Sequence, residues 1–70
     1  MPKITLHLHD GKTLESEFRS WETTEYDQEV LKIQSHLNQG SGRMTFEERP
    51  NGPEHMFEVD LIARVEMNKK

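Results

Sequence analysis

The order of apolar and polar residues at the start of the chain predicts a β-hairpin over residues 3–19. Residues 3–9 alternate without a break and place isoleucine and leucine side chains on one side, a pattern typical of a half-buried strand. The alternation resumes in residues 13–19, after the turn sequence His9-Asp10-Gly11-Lys12. The two segments are close enough in sequence to pair directly.

The length of the turn follows from the requirement that paired residues share a face of the sheet. A two-residue turn at Asp10-Gly11 would pair core positions with solvent positions. A three-residue turn, His9-Asp10-Gly11, instead places Leu6 opposite Leu14. It also puts Gly11 where a positive φ angle is needed. We therefore predict the three-residue turn.

The hydrophobic period then changes and predicts an amphipathic helix over residues 24–39. Four apolar residues recur at the spacing of one helical stripe, namely Tyr26, Val30, Ile33 and Leu37. Thr23 or Thr24 is expected to cap the first turn, and Gly40 is expected to end the helix in a left-handed conformation.

Two further strands are predicted after the helix, over residues 43–49 and 55–67. The turn sequence Arg49-Pro50-Asn51-Gly52-Pro53 separates them. Every odd position from Phe57 to Met67 is apolar, which predicts one long central strand. The alternative is a bend near Asp60-Leu61 that splits it. Residues 68–70 are expected to form a polar tail.

The resulting order, ββαββ, predicts one α+β domain over residues 1–70. With one helix packed on one face as a right-handed crossover, the first and last strands become parallel neighbours. The expected sheet is four-stranded and mixed, with order 2-1-4-3, which is the β-grasp arrangement. The Lys3–Phe18 hairpin, with its Asp10-Gly11-Lys12 turn, resembles the first hairpin of ubiquitin-like proteins. The modifiers and sulfur carriers among them end in Gly-Gly, whereas this sequence ends in Met67-Asn68-Lys69-Lys70, so conjugation is not expected.

Composition indicates a thin core. Only 31% of the residues are hydrophobic and none is cysteine. A chain of this length buries only ~60% of its unfolded surface, so a metal, a partner or a second copy would add needed stability. The net charge of −4 disfavours nucleic-acid binding. Because apolar runs are too short for a membrane span or a signal peptide, we expect a soluble, cytoplasmic protein.

Apolar residues on the predicted open face indicate a protein-interaction surface. By the alternation, three of them face away from the core beside two arginines, and the expected partner-binding set is Trp21, Met56, Ile62, Arg64 and Arg19. Such residues are enriched at interface centres. We expect a regulator or inhibitor, including one encoded by a phage, that binds a partner protein or itself as a homodimer. For Trp21 the alternative is packing over the helix start.

Histidines and acidic residues carry two alternative functions. His7 and His9 share a strand face about 6.5–7 Å apart, and with His55 they predict a zinc-binding module or, alternatively, a solvated sheet face. An acidic mimic of nucleic acid is predicted from six carboxylates in fifteen residues: Glu15, Glu17, Glu22, Glu25, Asp27 and Glu29. Because an open sheet encloses no pocket that would tune catalytic carboxylates, we do not expect an enzyme.

Overall fold

The computed structural model describes residues 1–69, which form one α-helix and five β-strands. The elements are β1 (Lys3–Leu8), β2 (Thr13–Glu17), α1 (Thr23–Gln39), β3 (Arg43–Glu47), β4 (Glu54–Glu58) and β5 (Ile62–Asn68). A three-residue 3-10 helix, Val59–Leu61, separates β4 from β5. The predicted α+β class is confirmed.

The first hairpin has the predicted register and turn. Leu6 pairs with Leu14, and Gly11 has a φ angle of 91°. The Leu8 N–H donates to the Lys12 carbonyl oxygen at 2.9 Å, and the Gly11 N–H donates to the Leu8 carbonyl oxygen at 3.0 Å. The side chain of Asp10 accepts the Lys12 N–H at 2.9 Å. The three-residue turn is therefore confirmed.

The helix occupies nearly the predicted range, but its first turn is capped differently. The N-cap residue is Glu22, and neither Thr23 nor Thr24 takes that position. Glu22 Oε1 accepts the Arg19 N–H at 2.8 Å, which closes the preceding turn on itself. At the other end Gly40 is left-handed, with φ 73°, and its N–H donates to His36. The predicted C-cap is confirmed.

The predicted sheet is wrong in its direction and continuity. The strands form two sheets, one of order β2-β1-β5 and one of β3-β4. All pairs are antiparallel: β5 runs against β1, with Lys3 opposite Asn68 and Leu8 opposite Ile62. The single four-stranded mixed sheet of order 2-1-4-3, and with it the β-grasp arrangement, is therefore not present.

The last strand does not run parallel to β1 as predicted, because the chain reverses between β4 and β5. The Glu17 N–H donates to the Glu48 carbonyl oxygen at 2.9 Å, so β3 ends beside the N-terminal end of β1. Because β4 is antiparallel to β3, it runs from the N-terminal end of β1 toward the C-terminal end. This is the direction that the β-grasp prediction requires. The 3-10 helix Val59–Leu61 then turns the chain back. No glycine or proline marks this reversal.

The same 3-10 helix shifts the alternation of buried residues. Ile62, which was expected to face away from the core, is only 9% exposed, whereas Leu61 is 41% exposed. A bulge then leaves Ala63 without a partner on β1. It returns Val65 to the core face, opposite Leu6. The strand predicted over residues 55–67 is thus two strands with opposite directions.

Two predicted boundaries also move. The strand expected over residues 43–49 ends at Glu47. The expected polar tail is partly ordered structure, because Asn68 is the last residue of β5 and the Lys69 ammonium lies 3.4 Å from the Asp27 carboxylate. Lys70 lies outside the described residues.

The core lies between α1 and the two sheets. Its buried hydrophobic residues are Ile4, Leu6, Phe18, Tyr26, Ile33, Met44, Phe46, Val59 and Ile62. The rings of Phe18 and Tyr26 meet edge to face, 5.5 Å apart. Lys32 ties α1 to β3, since its ammonium donates to the Thr45 carbonyl oxygen at 2.9 Å. These contacts hold α1 against the rest of the molecule.

Candidate interaction site

Trp21 is presented to solvent on a closed turn between β2 and α1. Its side chain is 71% exposed, and the guanidinium carbon of Arg19 lies 5.4 Å from its ring centroid, within cation–π range. Two hydrogen bonds fix the turn: the Glu22 N–H donates to the Arg19 carbonyl oxygen at 2.9 Å, and the Arg19 N–H donates to Glu22. The alternative of packing over the helix start does not describe this exposed indole.

A groove of about 610 Å³ adjoins this turn. Its apolar lining comes from Met1, Phe18 and Pro50, and its charged lining from Arg19, Arg49, Glu15, Glu17, Glu22 and Glu48. Four carboxylates therefore face two guanidinium groups. Residues 48–50 were not among the predicted site residues, because they approach β2 only through the folded chain. The backbone bond between Glu17 and Glu48 is what brings them there.

Among the predicted partner-binding residues, only Arg19 and Trp21 come together. Met56 is exposed on the outer face of the β3–β4 hairpin. Ile62 is buried in the core. Arg64 lies opposite His7 on the outer face of the three-stranded sheet. The predicted interface is thus divided over separate parts of the molecule.

The outer face of the three-stranded sheet carries charged side chains in place of the apolar patch that we expected. Lys3 Nζ lies 3.3 Å from Glu15 Oε2. Glu66 Oε1 lies 2.8 Å from His7 Nε2 and 3.0 Å from a terminal guanidinium nitrogen of Arg64. Exposed pairs of this kind each contribute at most about 1 kcal/mol. They keep this face polar rather than holding the fold together.

The three histidines of the zinc hypothesis have different surroundings. His7 contacts Glu66 on the three-stranded sheet, His9 lies exposed at the turn after β1, and His55 lies on β4, 3.8 Å from Glu48. Within residues 1–69, no three or more His, Cys, Asp or Glu side chains gather as a possible metal site.

The six acidic residues of the mimic hypothesis are distributed over β2, the Trp21 turn and α1. Three have basic partners: Glu15 pairs with Lys3, Asp27 with Lys69, and Glu29 with Lys32 at 3.0 Å. Glu17 and Glu22 line the groove, while Glu25 lies in the first turn of α1. Half of the set is thus locally neutralised.

Within residues 1–69, no helix combines the length and the apolar character needed to cross a lipid bilayer. Comparison with models of known protein families finds no match. Comparisons with curated proteins and with solved structures find no significant match either.

Proposed function

We propose that the protein is a small non-enzymatic domain that binds a protein partner through the Trp21 surface, defined as Arg19, Trp21 and the adjoining groove. The observation that carries this proposal is the exposed indole of Trp21 on a hydrogen-bonded turn. A tryptophan buries about 150–250 Å² when covered, and tryptophan is enriched among residues that dominate binding energy. A turn that is already fixed loses little conformational entropy on binding.

The groove indicates the chemistry of the partner. Four carboxylates against two guanidinium groups favour a partner segment with positive charge. Met1 and Pro50 supply apolar contacts at the same place. The described residues that line the groove include no serine, cysteine or histidine. A domain with this surface acts by occupying its partner, which suits a regulator or inhibitor.

The test uses Trp21 as its own reporter, because the chain contains a single tryptophan. Peptides selected from a displayed library against the full chain are titrated against the wild type while the indole emission is followed. We expect a shift of the emission to shorter wavelength and a loss of affinity of about tenfold or more in Trp21→Ala.

Leu31→Ala is the matched control, since Leu31 is also apolar and 66% exposed but lies on α1. It should bind the selected peptides as the wild type does. Peptides that bind Trp21→Ala as tightly as the wild type, or that lose affinity equally in both variants, would refute this assignment. Thermal melts of both variants verify that the fold is retained.

The acidic mimic and the metal module are less well supported. The mimic requires a continuous run of unpaired negative charge, whereas three of its six carboxylates have basic partners within 3.4 Å. Salt separates the two modes of binding. An affinity that falls steeply with ionic strength and is unchanged in Trp21→Ala would favour the mimic.

A further inference from the structure

We propose that two copies of this chain pair through the outer edges of β5. The pairing joins two three-stranded sheets into one continuous antiparallel sheet with twofold symmetry. This edge lies outside the Trp21 surface, so the dimer and the proposed function can be tested independently.

The outer edge of β5 has unpaired backbone groups. Leu8 donates its N–H toward β2, whereas His9 donates its N–H to Leu61 at the start of β5. Even-numbered residues of β1 therefore bond to β2, and odd-numbered residues bond to β5. It follows that the N–H and carbonyl groups of Val65 and Met67 point outward. Among the described residues, β5 has one sheet neighbour, β1, so this edge has no strand beside it.

The opposite edge of the same sheet, β2, is protected against such pairing. The Glu17 N–H is already bonded to Glu48. In addition, Glu15 and Glu17 project from one face of β2, so symmetric pairing of two β2 strands would bring like charges together. Edge strands are commonly protected by charges of this kind. On β5 the corresponding charged residues, Arg64 and Glu66, have opposite charges, so two copies of this strand need not repel each other.

These two charges select one register. With Val65 opposite its own copy, Arg64 lies opposite the partner subunit's Glu66, and Glu66 lies opposite the partner subunit's Arg64. The neighbouring symmetric registers would place Arg64 opposite itself or Glu66 opposite itself, and like charges directly opposite destabilise a sheet. Only the central register is self-complementary.

The apolar face of β5 supports the same register. Val65 and Met67 lie opposite Leu6 and Ile4 on the core side of the sheet, and Met67 remains partly exposed. In the central register the two Val65 side chains meet. The pairing thus covers apolar side chains that β5 leaves in water.

Sedimentation of the full chain over a range of concentrations tests the dimer. We expect the wild type to dimerise and Glu66→Arg to weaken the dissociation constant about tenfold or more, because both cross-strand pairs become like-charged. The double variant Arg64→Glu/Glu66→Arg restores opposite charges in the same register and should recover the dimer. Glu54→Arg makes the same charge change on β4 and should leave the dissociation constant unchanged.

Val65→Pro provides a second test that does not depend on charge. An outward-pointing N–H on an edge strand is a position that tolerates proline, so the monomer should fold while its central intermolecular hydrogen bonds are lost. Circular dichroism checks the fold. This interface would be refuted by a wild type that remains monomeric at about 1 mM, or by a dimer whose dissociation constant is unchanged in Glu66→Arg. It would also be refuted if the double variant did not recover the dimer, or if Val65→Pro still formed it.

Discussion

Ile62 and Leu61 are neighbours with opposite environments. Ile62 is 9% exposed and belongs to the core, whereas Leu61 is 41% exposed. We expect Ile62→Ala to lower the free energy of unfolding by about 2–4 kcal/mol, because it removes buried methyl groups and leaves a cavity. Leu61→Ala should cost less than about 1 kcal/mol.

Urea denaturation followed by circular dichroism measures both changes in the unfolding free energy. A larger loss for Leu61→Ala than for Ile62→Ala would contradict the burial of Ile62. The alternation alone predicts that Ile62→Lys leaves the fold intact and weakens self-association. The burial of Ile62 instead predicts that this variant unfolds, because it buries an unpaired charge.

At the scale of single residues, the sequence predicted exposure well where local structure decides it. Trp21 follows the end of a strand pattern and precedes the helix, and it is exposed as expected. Ile62 was misplaced because its side is set by the 3-10 helix before it, which continues an apolar sequence without a turn signal. Ser16 is buried because it lies on the core face of β2, opposite Ile4.

Among the elements, the first hairpin depends on one backbone conformation. Gly11 has φ 91°, and a β-carbon built there would meet no atom within 4 Å. Gly11→Ala should therefore lower the unfolding free energy by about 1 kcal/mol through backbone strain alone. Gly11→Asn should cost less, because asparagine tolerates left-handed conformations. Equal losses in urea denaturation for the two variants would show that strain is not the cause.

Lys32 links α1 to β3. Its ammonium donates to the Thr45 carbonyl oxygen and lies 3.0 Å from Glu29, whose side chain is only 14% exposed. Lys32→Met should lower the unfolding free energy by about 1–3 kcal/mol, because the Glu29 carboxylate loses its partner. The double variant Lys32→Met/Glu29→Gln should regain part of this loss. No loss in the single variant would show that the link contributes nothing.

Elements with local signals were predicted, and the relation between them was not. Gly11 and Gly40 each adopt the positive φ that their positions require, so the hairpin and the helix end could be placed from sequence. The reversal at Val59–Leu61 has no such residue. It arises because the chain after β4 pairs antiparallel to β1, which is a contact between segments more than fifty residues apart in sequence.

For the whole molecule, the α+β class followed from the order of elements, but the candidate site did not. The groove forms where residues 48–50 approach β2, and that approach depends on the direction of β3. The sequence does indicate the acidic residues of β2 and of the Trp21 turn. Glu48 and Arg49 were missed because nothing in their local sequence indicates proximity to Glu17.

Self-association would also change how the whole molecule melts. A dimer that forms only from folded chains stabilises them by mass action. We expect the melting temperature of the wild type to rise by several degrees over about a hundredfold increase in concentration, and that of Val65→Pro to stay constant. Scanning calorimetry measures both. A wild-type melting temperature independent of concentration would argue against pairing.

The bulge at Ala63 gives β5 one more residue than it needs to pair with β1. Because Leu8 pairs with Ile62 and His7 with Arg64, deletion of Ala63 would leave every flanking side chain on its present side of the sheet. Deletion of Val65 would instead turn Arg64 toward the core. Over evolutionary time, a chain of this design can shorten this segment at Ala63 without refolding it.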